Sequence, residues 1–256
     1  MSGYGALVTG GSRGIGKGIA LALAEKGFAI AVNALAPDAE LESTLAELRA
    51  LGVRASPVIG DVSDISRREA LLDDAEAAIG PLTTLVNNAG VSVLSRGDIL
   101  DVTPESYDRC QAVNARGLFF LTQAWAKRVL ARPAPEGLHR SIITLSSANA
   151  VAVTITRSEY CASKAAAAMI AKLFAVRLGA EGIGSYEIRP GLIETSMTAP
   201  SAESYRKRIA EGLTVVQRMG MPSDIGAMAV ALATGQLAFC TGQALQADGG
   251  LVIPRF

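Results

Sequence analysis

Residues Ala6 to Thr9 form a short apolar run that breaks into Gly10-Gly-Ser12-Arg13-Gly14-Ile15-Gly16. An alanine-rich helical stretch follows as far as Lys26-Gly27. A strand, a glycine loop and a helix in that order narrow the folding options. Glycines let the backbone turn tightly and approach a ligand closely, and the helix N-terminus offers unpaired N–H groups to a pyrophosphate. An ordinary tight turn is the plainer alternative for the loop taken alone. The chain then repeats the alternation. Strand-like runs at Phe28–Asn33, Val53–Ile59, Leu82–Asn87, Ser141–Leu145, Gly184–Ile188 and within Thr241–Gly250 alternate with helical stretches at 38–51, 67–79, 104–132, 162–181 and from Pro222 onward. This pattern predicts an α/β chain with a single doubly wound domain over 1–256. Its sheet is expected to be parallel, seven-stranded and flanked by helices, with ligands at the strands' C-terminal ends.

The bulk numbers remove several function classes. Of 256 residues half are apolar, enough for a substantial core. The 24 basic and 24 acidic residues cancel, so neither nucleic acid nor an anionic membrane is an expected partner. Met1-Ser-Gly-Tyr-Gly leads directly into an apolar strand, so no leader is expected, and Ala165–Ile170 lies between Lys164 and Lys172, far short of a membrane span. Cys110, Cys161 and Cys240 are odd in number and widely spaced. They suit reduced thiols in a cytoplasmic protein rather than disulfides or a metal site. His139, the only histidine, sits in the turn-rich Arg132–Arg140 loop and is expected to be solvated, which disfavours a Ser-His-Asp hydrolase or a zinc enzyme.

A nicotinamide dinucleotide fits the glycine loop, and the second strand bears on which one. An acidic residue at its end would bind the adenosine ribose of NAD. Here the tip reads Asn33-Ala34-Leu35-Ala36, with no carboxylate before Asp38. Arg13 in the glycine loop suits a 2′-phosphate, so NADP(H) is favoured, with NAD(H) as the alternative. Asp61, after the third strand, either meets the adenine amino group or starts a turn. Asn87-Asn88-Ala89-Gly90 lets the fourth strand exit close beside a flat ligand. Asn114 and Gly117 are poor helix-interior residues inside a long helical stretch. Residues 194–212 are polar, with Pro200 and the charged run Arg206-Lys-Arg208, and read equally as a flap over substrate or as a solvated helix.

The chemistry-bearing stretch runs from Ser147 to Lys164. Tyr160 and Lys164 are one helical turn apart and project from one face. A phenol normally deprotonates near pH ~10, and a neighbouring ammonium group favours the phenolate. Ser147, at a strand end, is placed to hold a substrate oxygen beside the phenol. Tyr-x-x-x-Lys alone is equally a surface pair on an amphipathic helix.

Together these segments resemble the short-chain dehydrogenase/reductase family over nearly the whole chain, which implies a Rossmann-like fold. Thr9-Gly10-x-x-x-Gly14-x-Gly16 matches the cofactor loop and Asn87-Asn88-Ala89-Gly90 the fourth-strand motif. Asn114, Ser147, Tyr160 and Lys164 match the catalytic tetrad, with Ser147 thirteen residues before Tyr160, and Pro190-Gly191 matches the sixth-strand exit. The resemblance implies reversible hydride transfer between nicotinamide and a ketone or secondary alcohol. It casts Tyr160 as acid/base and Ser147 as the oxygen holder. Lys164 binds the nicotinamide ribose and lowers the tyrosine pKa, while Asn114 supports a water relay. It also places Ile193 and Thr195 by the carboxamide and Asp61 and Val62 by adenine. The overall pattern is most similar to bacterial 3-oxoacyl-carrier-protein reductases, implying a thioester substrate on an acyl carrier protein, fatty acid biosynthesis, and a homotetramer or homodimer pairing the Asn114 and Tyr160 helices. The small residues Ala165–Ala168 and Gly117 suit that interface or burial within one subunit. Three features depart from the pattern: Ala148-Asn149-Ala150 lacks the usual glycine, Arg189 precedes Pro190, and the Arg132–Arg140 loop is long. Lys127, Arg128 and Arg177 are candidate contacts for an acidic carrier. Thr154, Thr156 and Arg157 suit a polar substrate, keeping an NAD-dependent sugar, polyol or hydroxy-acid dehydrogenase as the alternative. A non-catalytic dinucleotide sensor is the remaining possibility.

Overall fold

A computed structural model describes residues 3–134 and 136–254; the two ends of the 1–256 span, and Pro135 in the Arg132–Arg140 loop, lie outside the described residues. Seven parallel strands form one sheet: β1 Gly5–Val8, β2 Ala29–Ala34, β3 Ala55–Ile59, β4 Thr84–Asn87, β5 Arg140–Leu145, β6 Ile183–Pro190 and β7 Ala244–Ala247. Their spatial order is β3-β2-β1-β4-β5-β6-β7. The order reverses between β1 and β4, and a doubly wound sheet opens a ligand crevice at such a point.

Among the described residues there are eight α-helices, most of them on the two faces of the sheet: α1 Gly14–Ala24, α2 Ala39–Ala50, α3 Arg68–Ile79, α4 Pro104–Gln111, α5 Leu118–Leu130, α6 Ser158–Leu178, α7 Ala202–Ala210 and α8 Pro222–Ala233. The central strands are nearly continuous apolar runs because both faces are buried. Successive side chains alternate between faces. Ala6, Val8, Ile30 and Val32 pack with Ile19 and Leu23 of α1, Leu45 of α2 and Ile225 of α8. Leu7, Ala31 and Leu85 point the other way, to Leu72 of α3 and to Leu121 and Trp125 of α5. Sequence punctuation sets several helix ends: Asp38 caps α2 by accepting from the Leu41 amide at 2.8 Å, Thr103 caps α4, and Pro222 opens α8.

The long 104–132 helix is not continuous. Residues Ala112–Gly117 form a π-helical segment between α4 and α5, the kind of insertion that recurs at functional sites. Its two poor helix formers have tertiary reasons to be there. A Cβ on Gly117 would run into the Val62 carbonyl, so Gly117 serves packing inside the subunit rather than an interface. Ala167 and Ala168 are likewise buried within the subunit.

His139 departs from expectation. It is half-buried, and its Nε2 lies 3.1 Å from the Tyr186 hydroxyl. Burial and the neighbouring Arg140 lower its pKa. It precedes β5, at the strand's N-terminal end and away from the ligand crevice.

Candidate active site

The C-terminal ends of the strands surround one cleft of about 1770 Å³. Each cofactor-contact candidate read from the sequence lines it, from Gly10, Ser12, Arg13, Gly14, Ile15 and Gly16 through Ala34, Asp61 and Val62, Asn88, Ala89 and Gly90, to Pro190, Gly191, Ile193 and Thr195. Ser147, Tyr160 and Lys164 form part of the same lining. Asn114 is the exception: it is buried behind the wall.

The glycine loop is shaped by requirements only glycine meets. Gly10 and Gly14 have φ of +59° and +54°, the left-handed region. A Cβ on Gly16 would collide with the Gly10 carbonyl and approach the Asn88 amide nitrogen at 2.5 Å. The loop is anchored from three sides. Asn88 Nδ2 donates to the carbonyls of Thr9 and Gly10 at 2.8 and 2.9 Å. Thr9 Oγ1 accepts the Asn88 and Ala89 amides, each at 3.0 Å. Thr44 Oγ1 donates to the Ser12 carbonyl at 2.7 Å. Asn33 points inward, its Nδ2 donating to the Val58 and Gly60 carbonyls at 3.1 and 2.9 Å. Thr44 and Asn33 were absent from the sequence-based contact set because their partners are far along the chain. A pyrophosphate and its nucleosides fit this preformed, backbone-lined cradle.

Arg13 lies at the loop's outer edge, more than half exposed, its Nη1 2.6 Å from Glu40 Oε2. Asp61 accepts from the Ser63 amide at 2.8 Å, the turn-forming role weighed for it, and still faces the cleft.

On the opposite wall, Ser147 begins the loop after β5 and accepts from the Asn149 amide at 3.1 Å. Ser146 beside it donates to buried Glu187, which grips Arg189 at 2.6 and 3.0 Å. That internal ion pair accounts for arginine before Pro190. Lys164 is buried, with Nζ 2.8 Å from the Leu145 carbonyl and 5.8 Å from the Tyr160 ring centroid. Burial pulls its pKa down to about 8. Gly90 makes room for this lysine, since a Cβ there would sit 3.4 Å from Nζ and 3.2 Å from Asn114 Oδ1. Asn114 accepts from the Val91 amide at 2.8 Å and donates to the Val91 carbonyl and Ser163 Oγ at 3.0 and 2.9 Å. Both N–H groups of its side-chain amide are therefore used inside the protein.

Opposing influences act on the Tyr160 phenol. Burial pushes the Tyr160 phenol up, while a hydrogen bond with Ser147 and the charge of Arg157 pull it back. Two cations flank the ring: the Arg157 guanidinium carbon is 5.4 Å and Lys164 Nζ 5.8 Å from its centroid. Residues 195–208 also border the cleft, through Thr195, Ser201, Ser204, Tyr205 and Arg208. Arg206 is turned outward to Glu194 at 2.7 Å.

Two of the three proposed carrier contacts are occupied. Arg128 is held by Glu69 at 2.8 Å and Asp73 at 2.7 Å, and Arg177 pairs with Glu181 at 3.5 Å. Among the described residues, no group of three or more His, Cys, Asp or Glu is placed to hold a metal, and no helix is long and apolar enough to cross a membrane.

Comparison with known proteins gives this geometry a family. A short-chain dehydrogenase model described as Enoyl-(Acyl carrier protein) reductase matches residues 10–252. A crystal structure of 3-oxoacyl-[acyl-carrier protein] reductase from Brucella melitensis in complex with NAD is 42% identical, covers 100% of both chains and superposes with a TM-score of 0.96. L-rhamnose 1-dehydrogenase (NAD(P)(+)) of Sphingomonas sp. is 32% identical, over 99% of this chain and 98% of its own. A putative 2-deoxy-D-gluconate 3-dehydrogenase from Agrobacterium tumefaciens with bound NADP is 30% identical over 99% and 98% of the two chains, with a TM-score of 0.87. The glycine cradle, the Ser147–Tyr160–Lys164 wall and the seven-stranded sheet thus belong to a chain that is a member of the short-chain dehydrogenase/reductase family, a nicotinamide-dependent oxidoreductase.

Proposed function

We propose that the protein interconverts a small polar ketone and its secondary alcohol. The observation carrying this reading is that Ser147, Tyr160 and Lys164 share one wall of the cleft that the glycine loop closes on the other side. When bound, the nicotinamide supplies or accepts the hydride. Ser147 Oγ holds the substrate oxygen and Tyr160 moves the proton on that oxygen, to it in reduction and from it in oxidation. Lys164 in its ammonium form favours the phenolate and binds the nicotinamide ribose. Asn114 holds the loop after β4 against α6 and supports the proton path from Lys164.

NADP(H) is the favoured cofactor and NAD(H) the second. The Arg13–Glu40 pair is exposed, so breaking it costs only about 0–1 kcal/mol. A doubly charged 2′-phosphate offers Arg13 a stronger charge-assisted contact.

Two substrate readings divide the relatives. Reduction of 3-oxoacyl thioesters is supported by the 42% identical reductase. Oxidation of a sugar or hydroxy acid is supported by the cleft itself, where Thr154, Thr156 and Arg157 form a polar lining, and by the capture of one candidate carrier contact, Arg128, between Glu69 and Asp73. The geometry favours the second. Residues 194–212 act as a substrate flap, with α7 over the cleft. Exposed Met169, Leu173 and Val176 on α6 support a homodimer or homotetramer, working in the cytoplasm, where its three free cysteines stay reduced.

The test is to incubate the purified protein with NADPH and NADH and a panel of small ketones, following absorbance and identifying product by mass spectrometry. One secondary alcohol should form per cofactor oxidised. Cofactor oxidation without alcohol, or none across the panel, would refute the reading.

A further inference from the structure

The two ends of the cleft differ in charge. The carboxylates lining it are Asp38 and Asp61, both at the β2–β3 end. On the side of Tyr160 the lining holds Arg96 from the loop after β4, Arg109 of α4, Arg157 and Arg208 of α7, and no acid. None of these four arginines forms an ion pair among the described residues, whereas Arg13, the arginine lining the other end, pairs with Glu40.

Arg157 is the one built into the wall. It immediately precedes α6, three residues before Tyr160. Its Nη2 donates to Asn149 Oδ1 at 2.9 Å. Asn149 is itself oriented, because its Nδ2 donates to the Ala152 carbonyl at 3.0 Å and Thr154 Oγ1 at 2.8 Å. The guanidinium is therefore aligned by a loop that Ser147 begins. Its Nε is buried and has no acceptor among the described residues. A buried, unpaired donor on a permanent cation is costly and rare, and it leaves the Arg157 charge incompletely satisfied by the protein.

We infer that the substrate carries a carboxylate a few bonds from its reacting carbon, and that Arg157, aligned by Asn149, is the residue that binds it. Arg157 lines the cleft, and its guanidinium is a permanent cation suited in charge and shape to a carboxylate. Its guanidinium carbon lies 5.4 Å from the Tyr160 ring centroid, beside the group assigned the proton, which suits a carboxylate close to the reacting carbon, as in a short 2- or 3-hydroxy acid and its oxo counterpart. Arg96, Arg109 and Arg208 supply a positive field at the entrance rather than direct contacts. This inference rests on the ketone–alcohol reading above and names its substrate class.

The test uses four- to six-carbon 2- and 3-hydroxy acids, their methyl esters and a phosphorylated analogue, each with NAD(P)+. Parent, Arg157→Gln and Arg157→Lys enzymes are compared. The parent should prefer the best acid over its ester by about a hundredfold in kcat/KM. That ratio should fall to within about threefold of unity in Arg157→Gln and recover in part in Arg157→Lys. The ratio, rather than the rate, separates carboxylate binding from a general structural role. A parent ratio near one, a ratio unmoved by Arg157→Gln, or a preference for the phosphorylated probe overturns the inference. Calorimetric binding of the same acids to the enzyme–NAD(P)+ complex provides an independent reading. Arg157-dependent acid binding with no reduced cofactor formed would uphold the carboxylate site while refuting the ketone–alcohol reading. Absence of acid binding overturns the site.

Discussion

The two halves of the cleft are built on different rules. At the cofactor end, function rests on backbone: glycines with positive φ, carbonyls stapled by Asn88, and a loop pinned by Thr9 and Thr44. Its charged groups are mostly spoken for, with Arg13 on Glu40 and Asp38 on a helix cap. At the substrate end, function rests on side chains set on loops and helix starts, and its arginines stand without carboxylate partners among the described residues. A shared cofactor needs one fixed backbone shape, while a particular substrate needs a particular set of side chains. The first half therefore tells the family and the second tells the specificity.

The largest effect that would break this contrast is expected at Gly16. Gly16→Ala places a methyl against the Gly10 carbonyl and the Asn88 side chain. Overpacking of this kind costs about 1–3 kcal/mol, outweighing the helix propensity gained. Thermal unfolding should show a lower midpoint, and NADPH fluorescence titration at least about tenfold weaker binding. A stabilised variant binding NADPH normally would show that the cradle tolerates side chains.

Next in size is Lys164, where the halves meet. Its folded-state pKa of about 8 lies below the ordinary lysine value of 10.5, so the folded protein binds fewer protons than the unfolded chain between those values. Stability therefore rises with pH across that window, and the cost of the buried ammonium is fully present below pH 8. Lys164→Met should be more stable than the parent at pH 7 by about 3 kcal/mol, with the gap closing as pH approaches 10.5. Denaturant unfolding at several pH values measures this. A gap independent of pH would mean that the lysine is not strained in the empty protein.

A smaller effect would sharpen the contrast from the cofactor side. Glu40→Gln releases Arg13 and removes a charge that repels a 2′-phosphate. NADPH should bind about two- to fivefold tighter, given the modest worth of exposed pairs, with NADH little changed. Parallel gains for both cofactors would separate Arg13 from phosphate recognition.

The sequence carried the backbone half well, because its signals are local. A strand running into Gly10–Gly16 and an Asn-Asn-Ala-Gly exit need no distant partner to be read. What escaped depends on residues far apart in the chain. The π segment sets Gly117 close against the Val62 carbonyl and Asn114 against Val91, partners distant in the chain. Thr44 reaches Ser12 across thirty-two residues. His139 looked solvated because its partner Tyr186 lies three elements later. Arg157 and Asn149 are near neighbours in sequence, yet the lack of a carboxylate around them is visible only once the cleft is assembled.

Comparing cofactor binding with turnover in Tyr160→Phe tests the catalytic wall most directly. The variant keeps the ring and removes only the hydroxyl. NAD(P)H affinity should stay within about twofold of the parent, while kcat/KM on the best substrate falls about a thousandfold or more. Turnover retained in that variant would contradict the assignment of the proton to Tyr160.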